Sequence, residues 1–320
     1  MKYRKLGKTG LQISEISLGG WLTYGNTTEI ETTTNIINKA YELGINMFDC
    51  ANVYAYGESE KVMGKILSQY NRETYILTTK AYWPMSDIPN DKGLSRKHLH
   101  AQINASLKKF NTEYIDIFYC HRFDTEADLY ETVRTLDDFI RQGKIFYIGI
   151  SEWTASQIIE GLKIQDQYLL DRFVVNQPCY NILQRSIENE IVPTCINNGM
   201  GIIPFSPLAQ GFLSGKYRKG KEIPKDSRAA NDDINSFMQK HLIPENFDLI
   251  EKFISFAEQK DCTPSQLAIS WLLHKSGVVS VLTGASSVSQ IEDNSKAIEI
   301  ILNEEELFSL ENIFHKNIDK

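Results

Sequence analysis

Cysteine is sparse in this chain and shows no paired pattern: Cys50, Cys120, Cys179, Cys195 and Cys262 are an odd set with no C-x-x-C spacing among 320 residues. That argues against a disulfide framework and a zinc-ribbon site, and the thiols are expected to be reduced. No apolar run reaches the roughly 18 residues of a membrane helix, and Met1 to Gly7 lacks the apolar core of a signal peptide. The cytoplasm is therefore the expected location, without membrane insertion. Positive charge is in deficit, with 34 Lys and Arg against 41 Asp and Glu and no polybasic run. Nucleic acid is not an expected partner, and any phosphate ligand needs a local basic pocket. Two nucleotide-binding signatures are also missing. No G-x-G-x-x-G occurs, and Gly7-Lys8-Thr9 has Lys2 where a P-loop carries its first glycine.

What is present is alternation. Short β-branched or aromatic runs alternate with longer stretches of helical period, the pattern of repeated βα units. After a hairpin-like piece turning at Lys8-Thr9-Gly10, strands are predicted over Ile13–Leu18, Asn46–Ala51, Tyr75–Lys80, Ile115–His121, Ile145–Ser151, Arg172–Gln177, Gly201–Ser206 and Val278–Gly284. Helices are predicted over about 31–43, 59–69, from the N-cap Ser95 to Phe110, over 129–141, from Thr154, and over 187–197, with Gly44, Gly143 and Gly199 as stops. A final helix near 304–314 is expected to pack outside. Residues 208–244, rich in Gly, Lys, Asp and Asn, form the one irregular stretch and are expected to be a mobile surface loop able to close over a ligand. About eight strands with helical crossovers fit a single α/β domain over 1–320, a closed (β/α)8 TIM barrel with an N-terminal β-hairpin and a C-terminal outer helix.

Asp49, Tyr54, Lys80 and His121 each stand where a strand run gives way to a loop, and ligands of such folds bind at the carboxyl ends of strands. One tyrosine among 15 carries little weight alone. Joint position does, because the four have complementary roles. Reduction of a carbonyl builds negative charge on oxygen, so a proton donor and positive surroundings are needed. Tyr54 can donate, Lys80 can lower the phenol's pKa, Asp49 can hold the lysine charged, and His121 can orient the carbonyl. Trp21, Tyr24, Tyr82, Trp83 and Arg122 are candidates for the substrate wall. The residues thus point to a carbonyl reductase. A metal-dependent hydrolase is disfavoured because Asp49 and His121 have no further ligands at matching strand ends, and no metal is expected.

Phe48-Asp49-Cys50-Ala51-Asn52-Val53-Tyr54, Thr79-Lys80 and Cys120-His121 resemble the tetrad of the aldo-keto reductases. Leu94-Ser95-Arg96-Lys97-His98, Gly149-Ile150-Ser151-Glu152-Trp153, Ser206-Pro207-Leu208 and Gly284-Ala285-Ser286 resemble the branch containing potassium-channel β subunits and their bacterial relatives. The similarity covers nearly the whole chain. It implies an NADP-dependent oxidoreductase that binds NADPH without a Rossmann motif and reduces small aldehydes or ketones to alcohols. It also implies cofactor contacts: Ser151, Asn176 and Gln177 at the nicotinamide carboxamide, Phe205 on the ring, and Gly20 and Trp21 beside it. Ser206, Leu208, Gly211, Lys216 and Arg228 would surround the pyrophosphate, and Gly284, Ser286, Gln290, Asp293 and Asn294 would take the adenosine end. Free amides at a helix start after strand eight also favour phosphate. Gln290 stands where many branches carry the arginine that grips the 2′-phosphate, so the preference for NADPH comes from the family and NADH stays open. The same resemblance implies homotetramers. It also brings an alternative, a redox-sensing NADP(H)-binding subunit of a membrane partner with slow turnover. Channel subunits often carry Asn where His121 stands, and the histidine favours turnover.

Overall fold

The computed structural model describes residues 1–21, 29–224, 227–230, 238 and 241–314. Tyr3–Lys5 (β1) and Gln12–Ser14 (β2) pair antiparallel, with Tyr3 opposite Ser14. Leu6 and Ile13 of this hairpin are fully buried against Met47, Ile76, Ile117 and Val175, the lower layer of the barrel interior. At Gly7, with φ +54°, a Cβ would lie 2.2 Å from the Gly199 carbonyl oxygen, so only glycine lets the hairpin turn seat this closely.

Eight strands follow: β3 (Ile16–Gly19), β4 (Met47–Asp49), β5 (Ile76–Ala81), β6 (Ile115–Cys120), β7 (Ile145–Ile150), β8 (Phe173–Asn176), β9 (Gly201–Ile202) and β10 (Val281–Thr283). They run parallel in the order β10-β3-β4-β5-β6-β7-β8-β9. Main-chain bonds from Ile202 N to Gly277 O, from Val279 N to Ile202 O and from Leu282 N to Pro204 O join the two edges. The sheet therefore closes into a (β/α)8 barrel.

The helices are α1 (Ile30–Glu42), α2 (Glu58–Leu67), α3 (Arg96–Phe110), α4 (Leu129–Arg141), α5 (Ala155–Gln167), α6 (Ile191–Asn197), α7 (Pro244–Gln259), α8 (Pro264–Leu273), α9 (Val288–Ser295) and α10 (Glu304–Ile313). In α4, Val133, Leu136 and Phe139 recur at helical spacing and are buried, while the Asp128 side chain caps Tyr130 N. Ser95 caps α3 by accepting from His98 N, and Gly44 ends α1 with φ +82°. α10 lies outside the barrel, with Leu310 and Phe314 buried and the Phe314 ring 5.8 Å from that of Phe253 on α7.

Three expectations need correction. The run Ile13–Leu18 is two strands divided at Glu15, because Gln12–Ser14 pairs antiparallel with β1 in the hairpin whereas Ile16–Gly19 joins the parallel barrel sheet between β10 and β4. There the Glu15 carboxylate accepts from Arg4 at 2.7 Å. The helix expected from Ile187 begins only at Ile191, after a 3-10 turn over Ser186–Glu188. Pro193 accounts for the delay, because it has no N–H to bond the turn before and is tolerated only near a helix start. The stretch 208–244 is not irregular throughout, since it holds 3-10 turns over Ala209–Ser214 and Arg228–Ala230, while 225–226, 231–237 and 239–240 lie outside the described residues. Among the described residues no helix is long and apolar enough to cross a membrane.

Candidate active site

Strand alternation aims the key side chains inward. On β5, Ile76 belongs to the inner core and Leu77 and Ala81 to the outer one, so Thr78 and Lys80 share the inward face. The same parity turns Asp49 inward after Met47, and His121 inward after Tyr119. Tyr54 lies five residues beyond β4, at the start of a 3-10 turn in which Ala55 and Tyr56 have φ of 46° and 53°. Two successive non-glycine residues in the left-handed region cost about 1 kcal/mol each or more, strain of a kind concentrated at functional sites.

Lys80 is fully buried and its three donors are matched by three acceptors: Asp49 Oδ2 at 2.5 Å, the Cys50 carbonyl at 2.7 Å and the Tyr54 hydroxyl at 3.5 Å. Asp49 in turn accepts from Thr78 Oγ1 at 2.6 Å and from Gln177 Nε2 at 3.1 Å through Oδ1. The His121 ring meets the Tyr54 ring edge to face at 5.9 Å. All four tetrad residues therefore converge at the carboxyl mouth of the barrel.

The electrostatics differ from expectation in one respect. Burial, reinforced by the Asp49 carboxylate, pushes the Tyr54 phenol well above its ordinary value, and Arg122 pulls only weakly the other way. The rise stands although the Lys80 ammonium lies 3.5 Å from the hydroxyl, because burial is its first cause and that ammonium is held closer to Asp49, at 2.5 Å. The phenol stays protonated, the state a proton donor needs. His121 is held well below the usual imidazole value by burial and by the charges of Lys80 and Arg122, so it is neutral and can act as a hydrogen-bonding group. Cys50, beside Asp49, is buried and raised by burial and by Glu60, so its thiol is inert.

The residues expected around a nucleotide form a rim on the same side. Gly20 follows β3 and donates its N–H to Asp49 O, and Trp21 stands next to it. Ser151 follows β7 and donates to the Gln177 carbonyl at 2.8 Å. Asn176 ends β8 and Gln177 follows it, both buried, and the Gln177 amide is committed to Asp49. Asn176 Oδ1 is buried without a hydrogen-bond partner, an orphan acceptor that a bound amide group would satisfy. Phe205 and Ser206 follow β9, and the turn through Ala209, Gln210 and Gly211 has positive φ throughout. Leu208 precedes that turn, and its carbonyl accepts from Gly211 N and Leu213 N. A Cβ on Gly211 would stand 3.3 Å from Lys216 Cε, and among the described residues no carboxylate pairs with Lys216.

Gly284 and Ser286 follow β10. Ser286 N and Oγ both donate to Gln290 Oε1, so Gln290 caps its own loop. Asn294 is buried on α9. The Asp293 carboxylate accepts from Thr263 and Gln266 and ties α9 to the start of α8, so its first partner is structural. Arg228 begins a 3-10 turn. Tyr24 and the Arg228 side chain lie outside what the structure describes.

The sequence reading missed the supports behind the tetrad. Thr78 precedes Lys80 by two residues, and the two-residue period of a strand was the available signal. Glu60 on α2 is fully buried, accepts from Thr79 and Ser106 and faces Lys109 Nζ at 3.2 Å. It braces the outward side of β5 directly beside Lys80, with no sequence signal to mark it.

A buried lysine joined to a carboxylate and a phenol at the mouth of a (β/α)8 barrel marks a barrel oxidoreductase. The aldo/keto reductase family profile matches residues 15–314, and the chain belongs to that family. It is 40% identical over 304 residues to a probable voltage-gated potassium channel subunit beta of Arabidopsis thaliana, covering 94% of this chain and 92% of that one. A putative voltage-gated potassium channel subunit beta of Schizosaccharomyces pombe is 41% identical over 307 residues, 93% of this chain and 88% of the yeast protein. The L-glyceraldehyde 3-phosphate reductase of Escherichia coli K12 is 37% identical over 306 residues, with the same coverages.

Proposed function

We propose that this single-domain protein reduces small aldehydes or ketones to alcohols with NADPH, and that Tyr54 is the proton donor. The observation that carries the reading is Lys80, sealed in the barrel with its donors divided among Asp49, a main-chain carbonyl and the Tyr54 hydroxyl. NADPH, when bound, supplies hydride to the carbonyl carbon. Tyr54 gives its proton to the carbonyl oxygen as negative charge grows there, and Lys80 offsets the phenolate left behind. Asp49 keeps the ammonium in place through the same step. Neutral His121 orients the carbonyl oxygen by a hydrogen bond.

Gly20, Trp21, Ser151, Asn176, Gln177 and Phe205 would hold the nicotinamide end. Ser206, Leu208, Gly211, Lys216 and Arg228 would hold the pyrophosphate, and Gly284, Ser286, Gln290, Asp293 and Asn294 the adenosine end. The Asn176 Oδ1 acceptor without a partner and the Lys216 cation, which meets no carboxylate among the described residues, support that fit. The family favours NADPH over NADH, a cytoplasmic homotetramer and turnover without metal. The relative named as an L-glyceraldehyde 3-phosphate reductase favours aldehydes as substrates.

A second reading has its own support, since two relatives are named as potassium channel β subunits. In it the chain binds NADP(H) to regulate a membrane partner and turns over slowly. Fluorescence titration with NADPH and NADH tests what both share: submicromolar NADPH binding with weaker NADH binding is expected, and no nucleotide binding refutes both.

A further inference from the structure

The proposed chemistry leaves one cation beside the tetrad unused. Arg122 follows His121 at the end of β6, is half-buried, and gives one N–H to the His121 carbonyl at 2.5 Å. Its guanidinium carbon lies 5.4 Å from the centre of the Trp83 ring. The same indole meets the His121 ring edge to face at 6.3 Å, and His121 meets Tyr54 at 5.9 Å. Arg122, Trp83, His121 and Tyr54 thus form a continuous wall ending at the proton donor.

This arginine has no counter-ion among the described residues. The partly buried Arg4, Arg72, Arg134 and Arg185 each meet a carboxylate within 3 Å. Among the described residues none pairs with Arg122. The nearest acid in the chain, Asp124, is turned away: its carboxylate accepts from the N–H groups of Leu94 and Glu126. A guanidinium held on an aromatic face, with one of its five donors used, presents a fork suited to a carboxylate or phosphate. Resting on the reductase reading above, we propose that Arg122, held by Trp83, is an anion subsite, and that the substrate is a carbonyl compound carrying a carboxylate or phosphate group. The charge of Arg122 also reaches the reacting groups, since it contributes to the lowered pKa of His121 and opposes the rise of Tyr54.

The test compares matched pairs: 4-carboxybenzaldehyde against its methyl ester, and glyceraldehyde 3-phosphate against glyceraldehyde. In the wild type the charged member of at least one pair should have kcat/KM at least about tenfold above its neutral partner. The pair that does so separates a carboxylate from a phosphate substrate. Arg122→Gln should abolish that preference through KM, and Arg122→Lys should restore part of it. A wild-type preference for the neutral member in both pairs, or a ratio unchanged in Arg122→Gln, overturns the proposal. If no aldehyde is reduced, the reductase reading fails. Calorimetric binding of 4-hydroxymethylbenzoate and glycerol 3-phosphate then decides the subsite on its own: a clear loss in Arg122→Gln sustains it, and equal affinity, or no binding to the wild type, overturns it.

Discussion

Lys80 and Asp49 meet at 2.5 Å inside the barrel, the lysine fully buried and the aspartate 1% exposed. Such a pair is no guarantee of stability, because desolvation of two charges can cancel their attraction. Its value here is local. It fixes a cation 3.5 Å from the Tyr54 hydroxyl.

Replacing Lys80 with Met leaves the Asp49 carboxylate buried with only Thr78 and Gln177 as donors. A loss of about 3 to 5 kcal/mol is expected in urea unfolding. The double variant Asp49→Asn with Lys80→Met should regain much of that loss, yet no activity. Additive single losses would mean that the pair is not coupled.

Tyr54→Phe removes the proton donor with little change of shape. NADPH affinity should stay within about threefold of wild type while turnover falls by about 100-fold or more. Undiminished carbonyl reduction would remove Tyr54 from the mechanism.

His121 gives stability a pH dependence whose sign follows from its lowered pKa. Near pH 6.5 the unfolded chain takes up a proton that the native imidazole refuses, so stability present above that pH is lost as pH falls. The slope reaches at most about 1.4 kcal/mol per pH unit and ends once the native imidazole also protonates. His98, also lowered by burial, acts in the same direction. His121→Gln should therefore lose about 1 kcal/mol less than wild type between pH 7.5 and 5.5. Parallel unfolding curves at the two pH values would count against a buried neutral His121.

Lys109→Met strips the partner from Glu60, which is fully buried while the lysine is 18% exposed. A cost of about 2 kcal/mol is expected, below that of a fully buried pair because water reaches the lysine side. Adding Glu60→Gln should recover most of it, since the amide oxygen can still accept from Thr79 and Ser106. Thermal melts of the three proteins decide the matter.

The barrel, and the meeting of Asp49, Tyr54, Lys80 and His121 at its mouth, were legible in the sequence because both are written locally. A strand's period of two fixes which side chains face inward, and each tetrad member stands at or just past a strand end. Ser95 and Gly44 marked helix ends for equally local reasons. What was not legible depends on distance in the chain. The Gln177 bond to Asp49 spans 128 residues, and the Glu60 brace joins α2, β5 and α3. The raised pKa of Tyr54 also escaped, because it depends on burial and on the Asp49 charge rather than on residue type. Helices α7 and α8 were passed over although Thr263-Pro264-Ser265-Gln266 carries a capping box with proline at its first turn.

The most direct test is single-turnover oxidation of prebound NADPH by a panel of aldehydes, followed by loss of nicotinamide absorbance. Rapid oxidation by at least one aldehyde in the wild type, and its absence in Tyr54→Phe with NADPH still bound, is the predicted result. Tight binding with no oxidation by any carbonyl compound would contradict the reductase reading and leave the nucleotide-sensing role as the better account.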